Sequence, residues 1–312
     1  MFVGMCLVSR GYRKQFVCRY DKEVGVPFYS HEDFKGLYQE AYTFTNSLKA
    51  EIHYFFYYYD NYKEDKIILF CHGLGPGHTA YLKEIETLAK YGYKVLTLDY
   101  MGCGESKGKL LRSLNEPTRD ANELLDFLKL DLPIVVVGHS LGGYTALNLM
   151  NLRKNLQKAV ILSGFITIPS LVEEIIKSKF VSSRILKYEQ KMEPELSKLD
   201  NIEYLKNTTE DLFFIQSDDD MVVPYSLGLE IVEKIDNPHI KTLKVTGKKH
   251  NPNYSYSALE YMNEVFGKYA SLLNEKKIKT DEDKINYFKD VSLPKLVEQD
   301  EEIFKLIFDF ID

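Results

Sequence analysis

The sequence predicts an α/β fold with a mostly parallel central sheet flanked by helices. Short apolar runs recur at residues 67–71, 94–98, 134–137, 159–162, 212–215 and 241–245. Apolar runs of this length, without alternation, suit strands covered on both faces, as in parallel sheets. Helical periodicity falls between them, at residues 81–90 and again at 119–130, where Leu124, Leu125, Phe127 and Leu128 are expected on one side. Strand and helix in alternation point to right-handed crossover units.

Taken in order, residues 37–44 and 50–58 are expected as leading strands. The aromatic run Tyr54-Phe55-Phe56-Tyr57-Tyr58 reads as sheet surface rather than a ligand-stacking platform, because aromatic side chains favour pleated, half-buried positions. One stretch breaks the rhythm. Between Gly164 and Glu210 there is no strand signal, only amphipathic helix carrying Leu171, Val172, Ile175 and Ile176, then Phe180 and Val181. It follows the carboxyl end of the sixth strand, the side on which open α/β sheets bind ligands. Residues 165–210 are therefore expected to form a small helical lid, with 1–164 and 211–312 as the core. Leu171, Ile175, Ile176 and Phe180 are its candidate substrate-binding residues. Helices at 256–274 and 300–311 are expected to close the domain.

The 312 residues carry 40 Lys and Arg against 46 Asp and Glu, a formal charge of -6. That balance gives no footprint for nucleic acid, and no run of Lys or Arg suggests an anionic membrane partner. No apolar run reaches the ~18 residues of a membrane span. The apolar start at residues 1–8 is followed, not preceded, by charge at Arg10, the wrong order for a secretory signal. Cys6, Cys18, Cys71 and Cys103 lack the paired spacing of a zinc site. A reduced, cytoplasmic protein is the expectation, without metal or cofactor, and with a homodimer left open.

The chemistry concentrates at Gly138-His139-Ser140-Leu141-Gly142-Gly143, which follows a strand signal and opens a helical one. A sharp strand-to-helix turn there would expose the Ser140 hydroxyl above the sheet edge, with glycines where strand and helix approach too closely for side chains. A serine hydroxyl is a poor nucleophile at neutral pH and needs a base. Further on, Ser217-Asp218-Asp219-Asp220-Met221-Val222-Val223-Pro224 follows one strand signal and Gly247-Lys248-Lys249-His250-Asn251 the next. Three consecutive carboxylates cannot all face one imidazole, so Asp218, Asp219 and Asp220 remain alternatives on spacing alone.

These segments resemble the α/β-hydrolase family, over roughly residues 66–250, and are most similar to its esterase, lysophospholipase and serine-aminopeptidase-like branch. The resemblance implies the order nucleophile, acid, histidine. It leaves His239 and His250 as candidate bases, and His239 stands before its strand, at the wrong end of the sheet. The family's D-x-x-V-P pattern selects Asp220. The catalytic set implied is Ser140, Asp220 and His250. The backbone N–H groups of Leu74, after His72-Gly73, and of Leu141 would form the oxyanion hole. His72 is expected to brace its loop and Cys71 to pack at a strand end. Asp99-Tyr100-Met101-Gly102-Cys103-Gly104-Glu105-Ser106 resembles a family loop in which arginine stands where this chain has Met101, so an ion pair of that loop is in doubt.

The function expected is hydrolysis of a small-molecule carboxylic ester through an acyl-enzyme, with activity falling as acid protonates the base. A peptidase or thioesterase would use the same groups. A noncatalytic binding protein would show erosion of the three residues.

Overall fold

The structure, a computed structural model, describes residues 12, 14 and 16–312. The apolar start at residues 1–8, Cys6 and Arg10 lie outside the described residues. Eight strands form one sheet: β1 (Tyr38–Thr45), β2 (Glu51–Tyr58), β3 (Ile67–Cys71), β4 (Lys94–Leu98), β5 (Ile134–His139), β6 (Leu156–Leu162), β7 (Asp211–Ser217) and β8 (Ile240–Val245). Their spatial order is β1-β2-β4-β3-β5-β6-β7-β8. The β1/β2 and β2/β4 pairs are antiparallel and all the others parallel.

Burial on both faces explains the continuous apolar runs. Alternate residues of β3, β4, β5 and β7 enter two separate hydrophobic clusters, one on each side of the sheet. The aromatic run of β2 divides in the same way: Tyr54 and Phe56 pack on one side, Phe55 and Tyr57 on the other. Across the antiparallel ladder Tyr42 stacks on Tyr54 at 5.5 Å, a favourable cross-strand pair. The run lies in the sheet as expected, but Tyr54 to Tyr57 are buried core rather than a half-buried surface, and only Tyr58 is partly exposed.

One face is covered by the helices Glu116–Leu128 and Leu141–Leu152, the other by Leu82–Lys90 and the final helix Glu301–Ile311. Leu124 and Leu125 are buried as expected, but Phe127 is 56% exposed. It leans outward and stacks on Phe44 of β1 at 5.6 Å. The final helix inserts Ile303, Phe304, Ile307, Phe308 and Ile311, the spacing of one apolar stripe. Asp300 caps it by accepting the Glu302 and Ile303 amides at 3.0 and 3.1 Å.

The connection from β6 to β7 holds no strand. It carries the helices Ile168–Ile176, Lys179–Met192 and Asn201–Asn207 with a short turn of helix at Leu196–Lys198. Lys177, at φ 51°, ends the first of these and turns the chain into the second.

Candidate active site

Ser140 sits between β5 and the helix Leu141–Leu152 at φ 57°, ψ −119°. Few residues other than glycine occupy that region, and strain of this kind gathers at reacting positions. The turn is held open by contact. A side chain on Gly138 would place Cβ 2.1 Å from the Gly142 carbonyl oxygen, and one on Gly142 would stand 1.9 Å from that of Cys71. Strand, turn and helix therefore close on one another only with glycine at both places.

The loops after β7 and β8 meet at the same edge of the sheet. His250 Nδ1 lies 2.8 Å from Asp220 Oδ2 and 3.0 Å from Oδ1. Because a carboxylate can only accept, Nδ1 carries the proton and Nε2 is the basic nitrogen. Asp220 is buried and is fixed in turn by the amides of Val222 and Val223, at 2.8 and 3.0 Å. The other two aspartates are engaged elsewhere. Asp218 accepts from Thr246 Oγ1 at 2.9 Å. Asp219 holds Ser217 Oγ at 2.5 Å and the Lys249 ammonium at 2.7 Å. Burial raises the Asp219 carboxyl, but Lys249 and Ser217 outweigh it and bring it to about 2. Of the three alternatives, geometry puts Asp220 on the imidazole.

The His250 loop is tied to the turn that carries Ser140 through the residue next to that serine. The His139 ring lies 4.8 Å from the His250 ring, and its Nε2 is 2.7 Å from the His250 carbonyl oxygen. Its Nδ1 faces Tyr81 Oη at 3.2 Å. Burial, then the neighbouring His250, drives the His139 pKa down to about 3, so the ring is neutral, with Nε2–H donating to the carbonyl and Nδ1 accepting from Tyr81. The Ser140 hydroxyl makes no hydrogen bond among the described residues, so its link to the imidazole is open in this conformation. Such links commonly form only with substrate in place. Sequence reasoning passed over His139 and Tyr81, because the variable position of a G-x-S-x-G turn carries no signal by itself.

The segment after β3 runs beside Ser140: a Cβ on Gly73 would stand 3.3 Å from Ser140 Cβ. The amides of Leu74 and Leu141 donate to no other group among the described residues, which leaves both for an oxyanion. His72 is fully buried, with Nδ1 2.7 Å from the Gly73 carbonyl, and burial lowers it to about 4. It braces the loop without carrying charge. Burial raises the Cys71 thiol to about 12, leaving it inert.

The loop after β4 is organised around Asp99, which accepts from the His78 backbone at 2.7 Å, His78 Nδ1 at 2.8 Å and the Glu105 amide at 2.8 Å. Met101 is buried and forms no ion pair. An arginine reaches the loop from elsewhere in the chain: Arg19 donates to the carbonyls of Gly104, Ser106 and Gly108 at 2.7, 3.0 and 3.0 Å.

The four lid residues are not gathered into one site. Leu171 is buried in the core, Ile176 packs against it, and Ile175 and Phe180 are 42% and 55% exposed. A cavity of about 450 Å³ does lie under the helical segment, but its walls include Asn115, Tyr144, Ile166, Pro169, Leu186 and Glu189, and none of the four. Tyr144 is one turn along the helix from Ser140 and bonds to the Ser140 carbonyl at 3.1 Å. Glu189 is satisfied by Tyr12 Oη, Ser113 Oγ and the Leu114 amide at 2.8, 2.6 and 3.0 Å. Among the described residues no cluster of three or more His, Cys, Asp or Glu could hold a metal ion, and no helix is long and apolar enough to cross a membrane.

A family model described as serine aminopeptidase, S33, matches residues 62–211. The lysophosphatidylserine lipase ABHD12 of Macaca fascicularis is 33% identical over 183 residues, covering 53% of this chain and 44% of that protein. Salicylic acid-binding protein 2 of Nicotiana tabacum is 33% identical over 106 residues, 33% of this chain and 41% of its own length. The chain thus spans less than half the length of these curated relatives. Among solved structures, the Pyrococcus furiosus esterase Pf2001 aligns with a TM-score of 0.58 at 20% identity, over 82% of this chain and 98% of that one. That likeness shows the fold.

Proposed function

Because this chain belongs to the α/β-hydrolase family, we propose that it is a serine hydrolase cleaving carboxylic esters through an acyl-enzyme on Ser140. The observation that carries the reading is the Asp220–His250 pair, joined at Nδ1 and held against the nucleophile turn by the His139 ring. In the proposed reaction Ser140 Oγ attacks the ester carbonyl while His250 Nε2 takes its proton. Asp220 holds the tautomer and stabilises the imidazolium. The Leu74 and Leu141 amides receive the oxyanion, each contributing about 3 kcal/mol to the transition state. The alcohol leaves with the proton from His250. Water, deprotonated by the same nitrogen, then releases the acid and restores the serine.

The substrate class we favour is an ester with an acyl chain, of the lysophospholipid kind that the ABHD12 relatives' name describes. A peptidase reading draws on the family model's description, but a peptide amino terminus wants free carboxylates. Of the three candidate carboxylates, Glu189 is buried and fully bonded and Glu174 is paired with Lys177, while Glu173 faces solvent and does not line the cavity. Ser140→Ala is expected to reduce hydrolysis of p-nitrophenyl butyrate by at least about a thousandfold and to abolish labelling by a fluorophosphonate probe. Undiminished turnover by that variant would remove the nucleophile and the reading with it. Matched ester, thioester and amide substrates, graded by acyl length, decide among the leaving groups.

A further inference from the structure

The helix Lys179–Met192 has two unlike faces. Val181, Ser182, Ile185 and Glu189 are buried against the body of the protein. Lys179, Phe180, Ser183, Arg184, Lys187, Gln190 and Lys191 are exposed. The helix's one acid, Glu189, points inward, so its outer face carries four cations and no carboxylate. None of those four is paired with a carboxylate among the described residues, and Arg184 instead lies over the Phe180 ring, 4.6 Å from its centroid. The turn leading into the helix carries Lys177, which is neutralised by Glu174, and beside it stand Ile175 and Phe180, large apolar side chains turned to solvent, with the exposed Glu173 on the preceding helix. All this sits on a chain whose net charge is -6.

We propose that this outer face docks on an anionic phospholipid bilayer, with Lys179, Arg184, Lys187 and Lys191 meeting the headgroups and Ile175 and Phe180 entering the boundary beneath them. Cations near a negatively charged leaflet are attracted individually and additively, and apolar side chains among them anchor the contact. Both parts are needed to choose this partner. A polyanion such as RNA would satisfy the cations but gives two solvent-exposed apolar side chains nothing to enter. The acidic remainder of the molecule is repelled by the same leaflet, which orients the helical segment toward it. The surface lies outside the Ser140 site, and the inference does not rest on the hydrolase reading.

The test is co-sedimentation of the whole chain with vesicles of phosphatidylcholine alone or with about 30 mol % phosphatidylserine. The partition coefficient is expected to be at least about tenfold higher on the anionic vesicles, and to fall as salt rises from about 0.1 to about 0.5 M. The fourfold variant K179E/R184E/K187E/K191E should lose that preference. A second fourfold variant, K268E/K289E/K295E/K305E, changes net charge equally on other exposed positions and should retain it. Hydrolysis of the soluble ester p-nitrophenyl butyrate by both variants, compared with the starting protein, reports folding and catalysis separately from binding. Equal binding to both vesicle types overturns the proposal, as does equal loss in the two variants. Tighter binding of a short RNA than of the vesicles overturns it too, and makes the face a general polyanion site.

Discussion

His139 occupies the variable position of the nucleophile turn, yet its ring is what joins the β5 turn to the loop that carries His250. Its neutrality follows from burial, and a neutral ring can donate at Nε2 while accepting at Nδ1. On the proposed reading, such a residue positions the base without touching substrate. His139→Phe keeps the bulk and loses the donor, so kcat is expected to fall about 10- to 100-fold with little change in KM. His139→Gln, whose amide can reach the same carbonyl, should recover most of it. Equal losses in the two variants would show that ring packing, not the hydrogen bond, is what matters. The Asp220 assignment belongs to this scale too. Three adjacent carboxylates look alike in a sequence, and only their separate partners, Thr246, Lys249 and His250, tell them apart.

Among elements, the helical connection from β6 to β7 is tied to the core by charge as much as by apolar contact. Arg119, on the helix Glu116–Leu128, bonds to Glu116 at 3.1 Å and Asp120 at 2.8 Å, and reaches Glu193 at the end of the helix Lys179–Met192. Burial raises the carboxyls of Glu116 and Glu193, and Arg119 acts against it in both. Arg112 also pairs with Glu116 at 2.7 Å and reaches Glu193 at 3.5 Å, so removing Arg119 takes the cation from the buried Asp120 and leaves each glutamate with one arginine. Arg119→Ala is expected to destabilise the protein by about 3–5 kcal/mol, read as a shift in the urea midpoint. A change under about 1 kcal/mol would mean that the network is solvated and contributes little. The sequence identified this connection as helical from its apolar spacing. It did not show that Leu171 would be spent on the core while Ile175 and Phe180 turned outward, because burial depends on what packs opposite.

For the whole molecule, a buried acid links the two sides of the site. Glu84, on the helix Leu82–Lys90, lies 3.4 Å from Asn253 Nδ2, three residues beyond His250. Its second oxygen and the Asn253 side-chain oxygen both lack partners among the described residues. Burial raises this carboxyl to about 7, with hydrogen bonds from Tyr254 and Asn253 acting in the opposite direction. The folded state therefore keeps a proton that the unfolded chain releases near 4.5. Stability from this group is fully present below about pH 4.5 and is lost as pH rises through about 7, by roughly 3 kcal/mol. Glu84→Gln, neutral at every pH, should raise the melting temperature at pH 8 and leave it unchanged at pH 4.5. An equal effect at both values would mean that Glu84 is not protonated in the fold.

The sequence by itself determined the architecture and singled out Ser140, Asp220 and His250 as the proposed centre, but not His139, Tyr81 or the walls of the cavity. Runs buried on both sides have to be apolar throughout, a turn where strand and helix touch has to carry glycine, and both requirements are local and can be read in one dimension. Tertiary structure decided everything that depends on distant residues meeting: which aspartate faces His250, the His139 brace, and the Arg19 contacts to a loop some 85 residues away. It also assembled the outer face of the helix Lys179–Met192. Its cations are scattered along the chain and form no run, and they become one surface only because the helical repeat, set by the burial of Val181, Ile185 and Glu189, turns them all the same way.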